Sequence, residues 1–161
     1  MKLSDLLPPE NISMNIDGSS KKVVLENLSI YIASLTQGIN SENIYQSLQN
    51  RERLGTTAIG GGIAIPHCRI PQCKKIIGAF FKLKNSIDFN SDDGTLVDLI
   101  FVLIVPDEHN ESHLRALSVI AELLQNQKNC SALRKAKSEN ALHRIIVGGK
   151  YWSKKNEADN R

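Results

Sequence analysis

An almost unbroken aliphatic run, Val97–Val105, constrains the fold of this chain more than any other segment. Pro106 follows at once and ends the run, because proline has no backbone N–H to give to a strand ladder. A continuous apolar run of this length is typical of a strand covered on both faces, whereas a half-exposed strand alternates apolar and polar residues. The segment therefore predicts a central strand with helices packed on either side.

Helical patterns flank this strand in the sequence. Apolar residues recur at helical spacing over residues 21–35 and again from Ser41 to about Arg53. Three further helices are predicted, starting near residues 110–112, at an Asn129 cap and at a Ser138 cap. Extended segments are predicted at 12–16, 56–65, 76–83 and 87–89.

These elements predict an α/β (α+β) fold, a single three-layer α/β/α sandwich with a central mixed sheet and helices on both faces. We expect one domain over residues 1–149. Residues 150–161 have few apolar side chains, so we expect them to form a mobile polar tail.

Composition excludes several classes of protein. Lys and Arg number 20 against 17 Asp and Glu, and this net charge of +3 is too mild for the dense basic stripe of a nucleic-acid-binding protein. No apolar run approaches the roughly 20 residues of a membrane-spanning helix. The N-terminal MKLSDLLPPE lacks a signal-peptide pattern, and three cysteines suggest reduced thiols. We therefore expect a cytoplasmic protein with no direct membrane insertion.

A glycine-rich segment leads into the first histidine of interest. Residues 56–65 contain Gly60, Gly61 and Gly62, which disfavour a helix and suit a strand or hairpin with a closely approached backbone. No Gly-Lys-Ser/Thr follows, so the segment is not a nucleotide-binding P-loop. His67 comes directly after the next proline, at a predicted strand end where functional side chains often lie. The alternative is a histidine that only caps the strand.

His113 is the second histidine of interest, because it falls in the predicted first turn of the helix after the central strand. Free amides and the helix dipole there favour a bound anion and keep the imidazole neutral. The alternative is an ordinary exposed first-turn residue. His109 is interpreted as solvated in a polar loop, and His143 as structural or exposed on a late helix.

Cysteines near His67 raise two other hypotheses. Cys68 and Cys73 lack the paired short spacings of a zinc site, and Cys130 falls on a predicted helix. A Cys68 nucleophile is conceivable, but neighbouring residues on a strand point to opposite faces, so His67 is poorly placed as its base. We expect neither a metal nor a cofactor.

The stretch RERLGTTAIGGGIAIPHCR, from Arg51 to Arg69, resembles the active-site signature of the type-2 enzyme IIA proteins of the bacterial phosphoenolpyruvate-dependent phosphotransferase system. The resemblance covers about residues 5–147 and is greatest to the nitrogen-type enzyme IIA. It also rests on Lys21-Lys22, Gly55-Thr56-Thr57-Ala58, Val97-Asp98-Leu99, Val105-Pro106 and His113-Leu114. Gly61 and Cys68 depart from the usual asparagine and glycine, and Cys68 adds a thiol that could make the site sensitive to oxidation.

The resemblance implies a phosphohistidine carrier with no autonomous catalytic activity. It implies that His67 accepts the phosphoryl group through Nε2, that His113 hydrogen-bonds this group, and that Arg51 is a nearby basic residue that attracts an anionic partner. The small residues Gly60, Gly61 and Gly62 would let the partner's phosphohistidine come close. The interpretation also places an apolar docking rim at Ile63, Ile65 and Leu114.

The implied donor is a phosphorylated HPr-like protein (NPr), and the implied targets are transporters or sensor kinases. The hypothesis also allows a weak homodimer. One alternative is a sugar-specific (fructose or mannitol) enzyme IIA that passes phosphate to enzyme IIB. Two others are a binding module without phosphorylation, which the presence of both His67 and His113 disfavours, and a cysteine hydrolase built on Cys68.

Overall fold

The computed structural model of the protein describes residues 2–106 and 111–148. The helices are α1 (Leu3–Leu6), α2 (Lys21–Leu35), α3 (Ser41–Arg53), α4 (Glu111–Gln125), α5 (Gln127–Lys135) and α6 (Glu139–Gly148), with a 3-10 turn at Pro9–Asn11. The strands are β1 (Ile12–Ser13), β2 (Ala58–Gly60), β3 (Ile63–Ala64), β4 (His67–Arg69), β5 (Ile77–Ile87) and β6 (Val97–Val105). The predictions for His109 and for the tail 150–161 lie outside the described residues.

The strands form one mixed sheet with β6 inside it, as predicted. The order is β1-β5-β6-β3-β2, and β4 pairs with β6 beyond the end of β3. Strand β5 runs antiparallel to β6, whereas β3 and β4 run parallel to it. Ile63 lies opposite Leu99, and His67 lies opposite Leu103. Strands β3 and β4 are therefore two pieces of one line along β6, separated at a proline.

Helices cover both faces of this sheet, which confirms the three-layer arrangement. Alternate β6 residues such as Val102 and Ile104 join the core that contains buried side chains of α2 and α3. Phe101 and Leu103 join a second core with side chains of α1, α4, α5 and α6. Because β6 is buried on both sides, it needs apolar residues at nearly every position.

Side-chain caps fix the starts of two helices, and the one at Ser138 was predicted. The Ser20 hydroxyl accepts from the Val23 amide at the start of α2, and Ser138 does the same for Ala141 near the start of α6. Helices α2 and α3 have the predicted bounds. Within the described residues, no helix is both long and apolar enough to cross a bilayer.

The predicted cap of α5 was wrong. Asn126 is the cap, and its side-chain oxygen accepts from the Lys128 and Asn129 amides at 2.9 and 3.1 Å. Asn129 is instead a fully buried helical residue whose amide nitrogen donates to the Leu123 carbonyl. Either asparagine side chain could accept from the free amides at a helix start, so tertiary packing determines which of them is the cap.

The four predicted extended segments also differ in extent from the observed strands. The segment predicted at 12–16 forms only Ile12–Ser13, because β1 pairs with β5 through those two residues alone. The segments predicted at 76–83 and 87–89 join into β5, with an irregularity in its pairing to β6. The segment predicted at 56–65 is the β2–β3 hairpin, with the glycines at its turn.

Candidate functional site

A cleft of about 890 Å³ lies where α3, β4, the end of β6 and the start of α4 meet. The cleft brings together three of the predicted site residues, Arg51, His67 and His113. Its walls are Ser47, Asn50, Arg51, Leu54, His67, Cys68, Arg69, Leu103, Val105, Glu111, His113, Leu114 and Leu117. Both helical layers thus contribute to the same cleft.

His67 is half-buried at the first position of β4. Its Nδ1 lies 2.8 Å from the Ile65 carbonyl oxygen, which can only accept a hydrogen bond. Nδ1 therefore carries the proton, and in a neutral ring the lone pair is on Nε2. Burial lowers the pKa of His67, the Ile65 carbonyl and Glu52 raise it, and Arg51 lowers it. The net direction is downward, so the ring is neutral at pH 7 and Nε2 is a nucleophile.

His113 is the third residue of α4 and is 8% exposed. Its Nδ1 is buried without a hydrogen-bond partner among the described residues. Leaving a buried polar atom unpaired costs about 1–3 kcal/mol, so such an atom needs an explanation. This nitrogen has no exposed surface, so a ligand in the cleft would contact the other ring nitrogen. The free amides of the first turn of α4 favour an anion there.

Arg51 lies in the last turn of α3, and its Nη1 donates to the Gly55 carbonyl at 2.9 Å. This bond holds the guanidinium beside the chain that leaves the helix. Two exposed leucines flank the cleft, Leu54 at 84% and Leu114 at 72% exposure. Of the three residues predicted for a docking rim, Leu114 lies at the edge of the cleft. The prediction was wrong for Ile63 and Ile65, which are buried in the core beneath α4–α6.

The structure does not bring the three glycines to this cleft. Gly60, Gly61 and Gly62 have φ of 90°, 66° and 83° and form the turn between β2 and β3. The Gly62 carbonyl accepts from the Asp98 amide at the opposite end of β6 from Leu103. At ~3.3 Å per residue, β3 begins roughly 13 Å along the sheet from His67. The glycines are required by the left-handed turn.

The cysteines beside His67 do not form a reactive or metal-binding group. Cys68 is 8% exposed, and burial raises the pKa of its thiol to about 12. Burial also raises the pKa of Cys73. Thiols held in the protonated form are poor nucleophiles. Within residues 2–106 and 111–148, no group of His, Cys, Asp and Glu could hold a metal ion.

One part of the site was missed in the sequence: a buried carboxylate directly after Arg51. Glu52 is 7% exposed and forms an ion pair with Lys21 at 2.6 Å. A charged residue near a helix end is usually solvated, so its residue type alone does not indicate burial. The signal was its spacing, because Ile44, Leu48 and Glu52 are four residues apart and all three are buried on one face of α3.

Comparisons with known proteins identify the family of this chain. The family model described as "Phosphoenolpyruvate-dependent sugar phosphotransferase system, EIIA 2" matches residues 5–148. A nitrogen regulatory protein from Bradyrhizobium diazoefficiens is 41% identical over 147 residues, which are 91% of this chain and 95% of that protein. These findings confirm the resemblance to nitrogen-type enzyme IIA proteins.

Two further relatives differ in how much of their own length this chain covers. The crystal structure of nitrogen regulatory protein IIA-Ntr from Neisseria meningitidis superposes with a TM-score of 0.84 at 29% identity, covering 89% of this chain and 98% of that one. The fructose-specific EIIABC component of the phosphotransferase system in Bacillus subtilis is 32% identical over 147 residues, which are 91% of this chain but only 23% of that protein. The match to the nitrogen regulatory proteins is thus close to full length on both sides.

Proposed function

The chain belongs to the EIIA type 2 family of the phosphoenolpyruvate-dependent sugar phosphotransferase system, and on that premise we propose that it is a phosphohistidine carrier with a regulatory role. It accepts a phosphoryl group on His67 from a phosphorylated HPr-like protein. Its phosphorylation state then acts as a signal to regulatory targets such as transporters or sensor kinases.

One observation carries the proposal. His67 has its Nδ1 hydrogen-bonded to the Ile65 carbonyl and lies in a cleft that also contains Arg51 and His113. In the transfer, the N–P bond of the partner's phosphohistidine breaks while a new N–P bond forms at His67 Nε2. The proton on His67 Nδ1 stays in place, so the step needs no separate base. The partner histidine leaves with its lone pair restored.

The cleft also offers charge stabilisation for the transferred group. Phosphoryl transfer spreads negative charge over three equatorial oxygens, and catalysis depends on positioning and on hydrogen-bond donors around them. Arg51 supplies a cation, and the first-turn amides of α4 supply neutral donors. His113 lines the same cleft and supplies a ring N–H to the anion.

The exposed leucines suit brief docking. Leu54 and Leu114 stand at the rim of the cleft, and the transfer partner must cover His67 to exclude water. A small apolar rim of this kind is typical of a transient interface at the low end of the size range. Near full-length similarity to nitrogen regulatory proteins supports the regulatory role over a sugar-specific enzyme IIA.

The test is phosphorylation in a reconstituted system. Purified chain is incubated with phosphoenolpyruvate, enzyme I and an HPr-like donor, and the modified site is mapped by mass spectrometry. We expect one phosphoryl group, labile in acid and stable in base, on His67. Absence of label, or label on another residue, would refute the proposal. Rapid loss of the label to an added enzyme IIB, with no state-dependent regulatory partner, would favour the sugar-specific alternative.

Replacing His113 by alanine should slow phosphoryl transfer on the order of 100-fold, since removing one preorganised donor from a charged transition state costs about that much. Folding stability should fall by less than the transfer barrier rises, because the packing lost with this buried ring is partly offset by removing a buried nitrogen that has no hydrogen bond within the described residues. Single-turnover transfer kinetics and urea unfolding measure the two effects. Equal loss of rate and stability would make His113 a structural residue.

A further inference from the structure

We propose that Glu52 is a positioning residue that fixes the orientation and tautomer of His67 by way of Thr57 and Ile65. The inference rests on the proposed role of His67 as the phosphoryl acceptor. Glu52 does not line the cleft, so its positioning of the ring passes through hydrogen bonds of the residues between them. A continuous set of hydrogen bonds connects the two side chains.

The first link joins Glu52 to Thr57. Glu52 lies in the last turn of α3 and is 7% exposed. Its two carboxylate oxygens accept from the Thr57 backbone N–H at 3.2 and 3.3 Å, and Oε1 also accepts from the Thr57 hydroxyl. A carboxylate that accepts from both donors of one residue fixes that residue's backbone as well as its side chain.

The second link joins Thr57 to His67. The Thr57 carbonyl accepts from the Ile65 N–H at 3.0 Å, and the Ile65 carbonyl accepts from His67 Nδ1 at 2.8 Å. Pro66 follows Ile65, and its carbonyl accepts from the Leu103 N–H at 3.0 Å. Ile65 is thus held at both ends, so its carbonyl oxygen has one direction, and that direction decides which ring nitrogen of His67 carries the proton.

Lys21 stabilises the buried carboxylate of Glu52. Its Nζ lies 2.6 Å from Glu52 Oε2 and 4.6 Å from the centre of the Phe89 ring. An isolated carboxylate at this depth would be strongly destabilising, whereas a paired and hydrogen-bonded one is tolerated. The ion pair connects the first turn of α2 to the last turn of α3. The positioning device therefore starts at Lys21 and ends at the His67 ring.

The charge of Glu52 also reaches His67 directly. Glu52 raises the pKa of this ring and opposes the effect of Arg51 from the same helix. The titratable groups around the ring come from three elements: Arg51 and Glu52 on α3, Cys68 and Arg69 on β4, and Glu111 and His113 on α4. Removing the Glu52 charge should therefore lower the pKa of His67, because the neighbouring Arg51 then acts unopposed.

The central experiment uses Glu52→Gln, which keeps the shape and one acceptor oxygen but removes the charge. Phosphoryl transfer onto His67 should slow on the order of 10-fold, the lower end of what losing a partner that orients a functional histidine costs. In the unphosphorylated protein, ¹⁵N NMR of the ring should show a smaller fraction of the Nδ1–H tautomer and a lower pKa. Glu42→Gln, the same change at an exposed carboxylate of α3, is the matched control and should match the wild type.

Two further variants separate positioning from stability. Lys21→Met combined with Glu52→Gln removes both charges, so a role confined to balancing Lys21 predicts recovery of the wild-type rate and tautomer. Our proposal predicts that this double variant stays slow. Thr57→Val removes the hydroxyl donor and should shift the His67 tautomer in the same direction, while Thr57→Ser restores it.

Wild-type tautomer fraction and pKa in Glu52→Gln, or recovery of both in the double variant, would overturn the proposal. These readouts use the unphosphorylated chain. A failure of the wild type to accept phosphate would therefore refute the function of His67 without touching the role of Glu52. A changed tautomer with an unchanged transfer rate would show that the ring orientation does not limit transfer, and it would also overturn the positioning role.

Discussion

Replacing His67 by alanine should abolish phosphorylation of this chain by the HPr-like donor. The substitution removes the nitrogen that the proposal assigns as the phosphoryl acceptor. Arg51 is a cation, the thiol of Cys68 is buried and protonated, and the proposal gives His113 the role of hydrogen-bond donor. Radiolabel transfer from phosphoenolpyruvate through enzyme I and the donor measures the effect. The expected signal is below detection.

The matched control is His143→Ala. His143 is also half-buried, and its Nε2 lies 3.0 Å from the Leu7 carbonyl, in a different part of the fold from the cleft. This variant should accept a full phosphoryl group. If the His67→Ala protein still becomes labelled while its unfolding curve matches the wild type, the acceptor is another residue and the proposed relay is wrong.

Truncating Phe101 to alanine should destabilise the protein by about 3–5 kcal/mol, the usual cost of removing a large aromatic side chain from a core. Phe101 is fully buried on β6, and its ring lies 6.2 Å from that of Phe80 on β5. The surrounding core includes side chains of α1, α4, α5 and α6, so the lost ring leaves a cavity that several elements would have to fill. Urea unfolding followed by circular dichroism measures the change.

Ile30→Ala is the control for this experiment. Ile30 lies on α2 with 59% of its surface exposed, so truncation should change stability by no more than about 0.5 kcal/mol. A loss below 1 kcal/mol in Phe101→Ala would mean that the second core is loosely packed, contrary to its burial.

Much of the fold was predictable because local and tertiary signals agreed. The limits of β6 follow from an apolar run closed by Pro106, and α2 starts where the Ser20 side chain caps it. Disagreement arose where two residues offered the same chemistry, as with Asn126 and Asn129. The full length of β5 was not predicted, because its pairing with β6 is irregular between Lys82 and Ile87, where the apolar sequence pattern is also interrupted.

The candidate site was predictable in its parts but not in its full composition. Two histidines far apart in sequence line the same cleft because β4 and the start of α4 both lie beside the end of β6. The three glycines are close to His67 in the sequence, so they were predicted to lie beside it. Because the chain between them is extended along β6, they lie at the other end of that strand. Glu52 was not anticipated, because burial of a carboxylate depends on Lys21 from another helix.

Residues of both helical layers line the cleft: α3 belongs to one layer and α4 to the other. A molecule in which either helical layer has detached from the sheet keeps the His67 imidazole but loses cleft residues that the proposal requires for phosphoryl transfer. Phosphorylation would then occur only in molecules in which both helical layers are packed on the sheet. Under the proposed function, the same reaction would therefore also distinguish fully folded molecules from partly unfolded ones.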